Sequence, residues 1–434
     1  MSDRADAIVI GAGVIGASVA LELARGGRSV IVVDKGPAPG AGSTSSSSSI
    51  IRFSYSTLDA VLTAWESAAL WADWGGHLGA VDPDGMARFV RTGMLIFHTP
   101  DTNTRRIEAL WDEVGIGFEL LEGDALRAKV PGMDIGAYFP PKRIDDPAFA
   151  SDATSELTAI FEAESGFIDD PMLSAHNLAH AARVHDAQFR FHQEVTAIER
   201  GDHGRVRGVR VADGSLLEAP VVVNVGGPHS ATINRLAGVA EGMRIRHRPL
   251  RQEVFSVAAP EGLRLEDGFP AVADLDIGQY FRPQIGGTWL LGSTEPGCDA
   301  LHWIDDPDDY DPYPTVEQFE VSMMRAARRV PEFGVPHRPV GLAALYDVAD
   351  DWVPIYDKSD LPGFFMACAT SGNQFKNAPL AGKFIAAIID AEAAGRDHDH
   401  DPVQFTGSRT GRAINLGAFS RLRDRAVTSG TVMG

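Results

Sequence analysis

The chain has 434 residues, enough for roughly two or three domain-sized cores, with 44% hydrophobic and 23% charged residues and no collagenous or disordered bias. Asp and Glu (59) outnumber Lys and Arg (39), and the resulting net charge of −20 argues against a nucleic-acid surface while saying little about other partners. Two cysteines, Cys298 and Cys368, make no disulfide framework, nothing at the N-terminus resembles a signal peptide, and no run approaches the ~20 apolar residues of a membrane span; a cytoplasmic protein without membrane partners is expected.

In chain order, Ala7–Ile10 reads as a short strand, apolar throughout as in a parallel sheet covered on both faces. A glycine turn over Gly11–Gly16, a helix over Val14–Arg25 and a second buried strand over Ser29–Val33 follow, ending at Asp34. The next stretch, GAGSTSSSSSIIR, has the composition of a flexible linker, but its place directly behind a nucleotide-binding unit argues against that role. A helix over Leu58–Trp74 carries Trp65, Trp71 and Trp74, expected in core packing. Residues 88–98 and 189–223 have strand character, with a hairpin turn at Asp213-Gly214. The stretch Arg246–Ser293 reads as several strands broken at Pro249, Pro260, Pro270, Pro283 and Gly286-Gly287. A helix is expected over 317–330, a strand over Phe364–Cys368, and a helix from about Ala378 to Ala394. The tail from about Asp397 is polar, and its His398 and His400 lack further ligands at recognisable spacing, so a solvated tail without a metal is expected. No repeat of fixed period is present.

Gly11-Ala12-Gly13-Val14-Ile15-Gly16 is a GxGxxG turn in its required context, between a strand and a helix, with Asp34 closing the next strand about twenty residues on. Gly11 allows the tight turn, Gly13 lets the backbone approach a pyrophosphate, and Gly16 lets helix and strand pack closely. The helix N-terminus offers unpaired N–H groups and a positive dipole to phosphates, and Asp34 is placed to accept from ribose hydroxyls. The motif alone, even with Lys35 after Asp34, does not separate NAD(P) from FAD.

Further segments carry a resemblance. GST-(polar)-IIR at Gly42–Arg52, EVTAIE at Glu194–Glu199, VVNVGGPHSATI at Val222–Ile233, QYFRPQIGGTWLLG at Gln279–Gly292 and SGNQFKNAPLAGKFIA at Ser371–Ala386 occur in order. Together with the glycine turn they make the chain, over roughly Asp6 to Gly395, resemble the D-amino-acid oxidase / sarcosine oxidase family of FAD-dependent amine oxidoreductases. The resemblance implies a mixed α/β fold, a Rossmann-type FAD-binding domain with an inserted β-sheet substrate-binding domain. It divides the chain into a discontinuous FAD-binding domain (1–80, 145–240 and 340–395), a substrate-binding domain (81–144 and 241–339) and a C-terminal tail (396–434).

The same likeness implies that Ser43, Thr44, Ser45, Ser49 and Ile50 lie on a loop passing the flavin, and that the backbone of Val195 meets the adenine. Gly226 and Gly227 make a second close approach to the cofactor, while Gly372, Asn373, Gln374, Phe375 and Lys376 run along the flavin pyrimidine edge. The helix that follows would aim its positive end at the flavin and so favour its reduction. Arg52 and Lys376 match the two cations that hold a substrate carboxylate, a pairing of guanidinium and ammonium suited to an amino acid. Tyr346 matches a tyrosine near the flavin, and Tyr280 or Arg282 is expected to face the pocket.

The sequence departs from that pattern in three places. The cysteine that links covalently to flavin in the family falls at about Ala344, and the alternative histidine falls in Ser45–Ser46, which implies dissociable FAD. The lysine that speeds reaction with oxygen falls near Leu290, and the basic residue three before Arg52 is Ser49, which leaves oxygen or another electron acceptor open. The implied activity is oxidation of a secondary or tertiary amine or amino acid, sarcosine-like, N-alkyl or cyclic. Hydride passes from the carbon next to nitrogen to flavin N5, and the imine is hydrolysed. Alternatives are an NAD(P)-dependent dehydrogenase, which leaves Ser371–Lys376 unexplained, and an FAD electron-relay subunit of a larger complex, which needs no carboxylate clamp. Monomer, homo-oligomer and subunit of a complex all remain open.

Overall fold

The computed structural model describes residues 3–434 except 101 and 103. Its first elements are β1 (Ala7–Ile10), α1 (Val14–Arg25) and β2 (Val30–Val33). Both strands are buried at every residue and pair in parallel, as their unbroken apolar sequence requires. They sit inside a six-stranded sheet in the order Ile355–Lys358, Phe364–Cys368, Val221–Asn224, β1, β2, Gln188–Arg190. All neighbours in it are parallel except the first pair. Helix α1 packs against the helices Pro171–Val184 and Ala378–Ala393. The first of these starts at an Asp170 cap, whose carboxylate accepts from the Leu173 N–H at 2.8 Å, with Pro171 in the first turn.

A second, nine-stranded sheet carries the long strands His247–Ala258 and Gly341–Ala349, which pair antiparallel, beside Thr288–Ser293, Gln279–Gln284, Ala271–Asp274 and Met94–Phe97. Ala159–Glu162 pairs with Met94–Phe97 in this sheet. The helix Val316–Arg329 packs on it, and a separate apolar cluster around Phe255, Phe281, Trp289 and Phe319 fills the space between. The mixed α/β architecture is thus as the sequence implies. The hairpin at Asp213-Gly214 joins Val206–Val211 to Leu216–Glu218.

Three expectations need correction. Pro249 and Pro283 do not break strands; they lie within His247–Ala258 and Gln279–Gln284. Each sits at a local edge, since Pro283 has a ladder partner only in Trp289 and Pro249 only in Asp347, so a missing N–H donor is tolerated. The helix from Leu58 ends at Ala72 as α2 (Leu58–Ala72), because the Asp73 carboxylate accepts from the Gly76 N–H at 3.3 Å and starts a short new helix at Trp74.

The C-terminal tail, finally, is not solvated. Gln404–Thr406 and Ala413–Asn415 form a hairpin against α2, with Ile414, Leu416 and Phe419 in the main core. His398 is buried, its Nδ1 accepting from the Val403 N–H at 3.1 Å, whereas His400 is exposed. The buried Arg421 guanidinium pairs with Asp357, Asp360 and Asp399. Among the described residues no helix is long and apolar enough to cross a membrane, and no group of three or more His, Cys, Asp or Glu is arranged to hold a metal.

Candidate active site

An elongated cavity of about 590 Å³ runs from the carboxyl ends of β1 and β2 to the space between the two sheets. That places it within the size range of small-molecule and cofactor sites. Gly11, Gly13, Val14, Ile15 and Gly16 form its first wall, with Asp34, Lys35 and Val195 at the same end. Gly11 has φ +108, and a Cβ there would stand 2.3 Å from the Val225 carbonyl oxygen. A Cβ on Gly16 would stand 2.0 Å from the Gly11 carbonyl oxygen. The turn therefore brings backbone against backbone in a way only glycine permits.

Helix α1 begins at Gly13 with no side-chain cap of its own, so its first N–H groups face the cavity as an anion site. One of them, on Val14, donates to Thr44 Oγ1 at 3.0 Å, which anchors the serine-rich loop. Asp34 Oδ2 accepts from the Ala12 N–H and Oδ1 from the Gly36 N–H, each at 2.6 Å, so the carboxylate also holds the turn in shape. Lys35 Nζ pairs with Asp308 and lies 2.9 Å from His229 Nε2, joining the loop near Asp306–Tyr310 to this rim.

The polar loop is ordered along the middle of the cavity. Ser43 Oγ donates to the Leu345 carbonyl at 2.8 Å, Ser48 Oγ lies 2.7 Å from the Tyr280 hydroxyl, and Ser49 Oγ donates to the Ile168 carbonyl at 2.7 Å. Ser43, Thr44, Ser49 and Ile50 line the wall; Ser45 does not, because its hydroxyl turns back to the Gly42 carbonyl at 2.9 Å. Gly226 and Gly227 face the cavity from the turn after Val221–Asn224. Tyr280 and Tyr346 also line it, while Arg282 does not: its guanidinium lies 4.2 Å over the Phe167 ring. Burial pushes the Tyr280 hydroxyl up to about 12 and that of Tyr346 well above its ordinary value, so both stay neutral donors.

Gly372 through Lys376 close the far end. Gly372 has φ +68, and a Cβ on it would enter the Tyr346 ring at 2.4 Å, so ring and turn are in direct contact. The left-handed residues Ala369 and Ser371 in the same turn are held by Asp347. Its Oδ2 accepts from the Ala369 N–H and its main-chain carbonyl from the Ser371 N–H, both at 2.6 Å. Asp347 is in turn paired with His247, whose side chain is 3% exposed, at 2.6 Å. Trp71 supports the segment from behind, stacking on Phe375 and donating from Nε1 to the Lys376 carbonyl at 2.7 Å.

Arg52 and Lys376, which are 5% and 3% exposed, meet across Tyr55. The guanidinium lies 4.7 Å and the ammonium 5.3 Å from the centre of that ring, and Lys376 Nζ donates to the Tyr55 hydroxyl at 3.0 Å. Among the described residues neither cation makes an ion pair, although Glu295 lies close enough for its charge to act on Arg52. Burial, with Arg52 nearby, holds the Lys376 ammonium well below its usual range, and burial lowers Arg52 also. Two buried basic side chains thus meet at one end of the cavity, with Glu295 the acid whose charge acts on Arg52.

Sequence reasoning missed Tyr55, Glu295 and the segment Ser429–Gly434, whose Val432 and Met433 line this end. Tyr55 follows Arg52 by three residues and was findable as a neighbour; Glu295 and Val432 carry no local signal.

The glycine cradle, the uncapped helix end, the hydroxyl-lined middle and the aromatic far end fit an elongated dinucleotide ending in a planar ring system. The FAD dependent oxidoreductase (DAO) family model matches residues 6–388. That match decides between the cofactors left open by the glycine turn and removes the nicotinamide reading. No curated protein matches the sequence. Among solved structures, glycine oxidase from Geobacillus kaustophilus aligns with TM-score 0.74 at 20% identity, covering 98% of this chain and all (100%) of that one. L-proline dehydrogenase from P. horikoshii aligns at 0.73 and 20%, over 92% and 95% of the two chains. Iminodiacetate oxidase from Chelativorans sp. BNC1 aligns at 0.66 and 18%, over 90% and 96%. These likenesses speak to the fold. By its family match, the chain belongs to the DAO family of FAD-dependent oxidoreductases, enzymes that use FAD as cofactor.

Proposed function

We propose that the enzyme oxidises a secondary or tertiary amino acid, its carboxylate held by Arg52 and Lys376 and its amine directed to the flavin. The observation that carries this reading is the pair of buried basic side chains, neither in an ion pair among the described residues, around Tyr55 at the end of the cavity remote from the glycine cradle. A relay subunit has no use for such a pair, whereas a carboxylate serves both groups at once. The neighbours named as oxidases or dehydrogenases of glycine, L-proline and iminodiacetate share the fold, and in each of those named compounds a carboxylate stands beside the nitrogen-bearing carbon.

When bound, FAD supplies the hydride acceptor. This chain's residues do the rest. Gly11–Gly16 and the N-terminus of α1 would bind its pyrophosphate, Asp34 and Val195 would hold its adenosine, and Gly372–Lys376 with Tyr346 would line its ring system, all of them facing the cavity. Lys376 Nζ, held toward its neutral form, has two donor bonds, to Tyr55 and to the Asn373 carbonyl at 2.7 Å. An arriving carboxylate restores its charge, so substrate binding takes up a proton at Nζ. Arg52 keeps its proton throughout and fixes the carboxylate's direction.

FAD is held without a covalent link in this reading. Ala344 and Ser46 line the wall where attachment residues would stand, and neither cysteine faces the cavity: Cys298 contacts Asp299 and Arg325, and Cys368 contacts His247. The FAD-binding unit is taken as the six-stranded sheet with α1 and the helix Ala378–Ala393, the substrate-binding unit as the nine-stranded sheet. The test is anaerobic mixing of the purified yellow enzyme with N-methyl amino acids, imino diacids, D-amino acids and cyclic amino acids. Bleaching by a carboxylate-bearing amine is expected, and absence of bleaching by the whole panel overturns the proposal. Acid precipitation should release all the colour.

A further inference from the structure

Residues 396–434 fold back over the molecule, and their last turn enters the substrate end of the cavity. Thr428 Oγ1 donates to the Asp351 carbonyl at 2.9 Å and Arg423 pairs with the Asp351 carboxylate at 2.8 Å, which fastens the approach to that turn. Beyond it, Val432 presents its main-chain groups to three side chains of the site. Its N–H donates to Glu295 Oε2 at 2.8 Å. Its carbonyl accepts from Arg52 Nη2 at 2.6 Å and from Asn373 Nδ2 at 3.2 Å.

One residue of a peptide carries its nitrogen and its carbonyl carbon on a single Cα, the skeleton of an α-amino acid. Glu295 receives the nitrogen side and Arg52 with Asn373 the carbonyl side. A peptide group, however, has no net charge, and it leaves both poles incompletely served. Glu295 is buried with Oε1 lacking a hydrogen-bond partner among the described residues, and burial pushes its carboxyl up to about 8. The Arg52 guanidinium also meets the Ser54 carbonyl and hydroxyl and the Tyr55 ring, all of them neutral. A carboxyl kept mostly protonated by burial and a guanidinium facing a neutral ligand gain less than a carboxylate and a guanidinium facing an ammonium and a carboxylate.

We infer that Glu295 on one side, and Arg52 with Asn373 on the other, form a two-pole subsite for the amine and carboxylate of an α-amino acid, in which Val432 of the chain itself sits as a displaceable stand-in. This rests on the amino-acid reading above and adds to it the residue that receives the amine. Substrate entry requires Ser429–Gly434 to lift. Thr431, Val432 and Met433 are only half-buried, and the segment is held at its end by one further bond, from Ser56 Oγ to the Gly434 carbonyl at 2.7 Å.

The experiment uses FAD-loaded enzyme, calorimetry and two isosteric probes with no hydrogen on the carbon next to the carboxylate. 2-Aminoisobutyrate carries both poles; pivalate has a methyl in place of the ammonium. Ending the chain after Thr428 is expected to tighten 2-aminoisobutyrate by about tenfold or more, since its competitor is gone. In that shortened enzyme Glu295→Gln should weaken 2-aminoisobutyrate by about tenfold and leave pivalate within about twofold. Should the shortened chain fail to fold, Val432→Pro in the full chain removes the N–H that Glu295 accepts and must tighten 2-aminoisobutyrate in the same direction. Unchanged affinity in the shortened or Val432→Pro enzyme overturns the stand-in, and equal effects of Glu295→Gln on both probes overturn the amine pole. Binding with the expected pattern in an enzyme that no amine bleaches leaves the subsite standing and removes the oxidation reading instead.

Discussion

At the adenosine end of the cavity the working groups are backbone: glycines without side chains, N–H groups at a helix start, and an aspartate that braces the turn. They come from one contiguous stretch, Gly11–Asp34, with help from Thr44. At the end we propose for substrate the groups are buried side chains, Arg52, Tyr55, Glu295, Asn373 and Lys376, gathered from three distant parts of the chain and covered by a fourth. The first end depends on shape and the second on charge held away from water, so the two should fail in different ways.

The sharpest break is at Gly11. Gly11→Val places a Cβ 2.3 Å from the Val225 carbonyl and forces a branched residue to φ +108, a combination of clash and strain costing several kcal/mol by order of magnitude. Purified protein should lack flavin absorbance, at every pH. At the other end, Arg52→Ala should keep its yellow colour while raising the half-saturating substrate concentration about a hundredfold, the scale of a lost charge-assisted bond. Lys376→Met should raise it about tenfold and abolish the proton uptake that accompanies binding, read by calorimetry in buffers of different ionisation enthalpy. Colour lost in Arg52→Ala, or kept in Gly11→Val, breaks the division between the two ends.

That division also explains what could be read without a structure. The turn at Gly11–Gly16, with a strand before it, a helix after it and Asp34 beyond, is a local pattern, and each residue type is dictated by local backbone geometry. Arg52 and Lys376 were legible only through resemblance, because nothing in their own neighbourhoods separates a buried clamp from surface ion pairs. Glu295 was silent for the same reason: an acid after a strand looks solvated until folding sets it against Val432. The tail misled by composition. Its charges mask the apolar positions Val403, Phe405, Ile414, Leu416 and Phe419 that bind it to the core. Pro249 and Pro283 misled because a proline marks a strand's edge as readily as its end.

Smaller effects sharpen the contrast further. His247 is held well above its ordinary pKa: burial opposes the charged ring, but the Asp347 carboxylate 2.6 Å away prevails. A raised pKa in the folded state contributes stability that is complete below the unfolded value near about 6.5 and lost as pH rises through the folded value. Glu295 weakens the fold in the same direction, its loss of stability levelling off only above its folded value of about 8. The part of this pH dependence that Asp347→Asn removes reports the His247–Asp347 pair, and thermal stability of the variant should fall less steeply as pH rises. The smallest expected change is Trp71→Phe, which keeps the apolar packing, removes the bond to the Lys376 carbonyl, and costs about 1 kcal/mol in a denaturant titration.

We propose that a carboxylate, recognised at Arg52 and Lys376, selects what this flavoenzyme oxidises. The most direct test is anaerobic reduction of the bound flavin by an amino acid that bleaches it, set beside the methyl ester of the same compound. The ester, with the same amine and the same transferable hydrogen but no carboxylate charge, should reduce the flavin with a half-saturation about a hundredfold weaker. Equal reduction by acid and ester would contradict it.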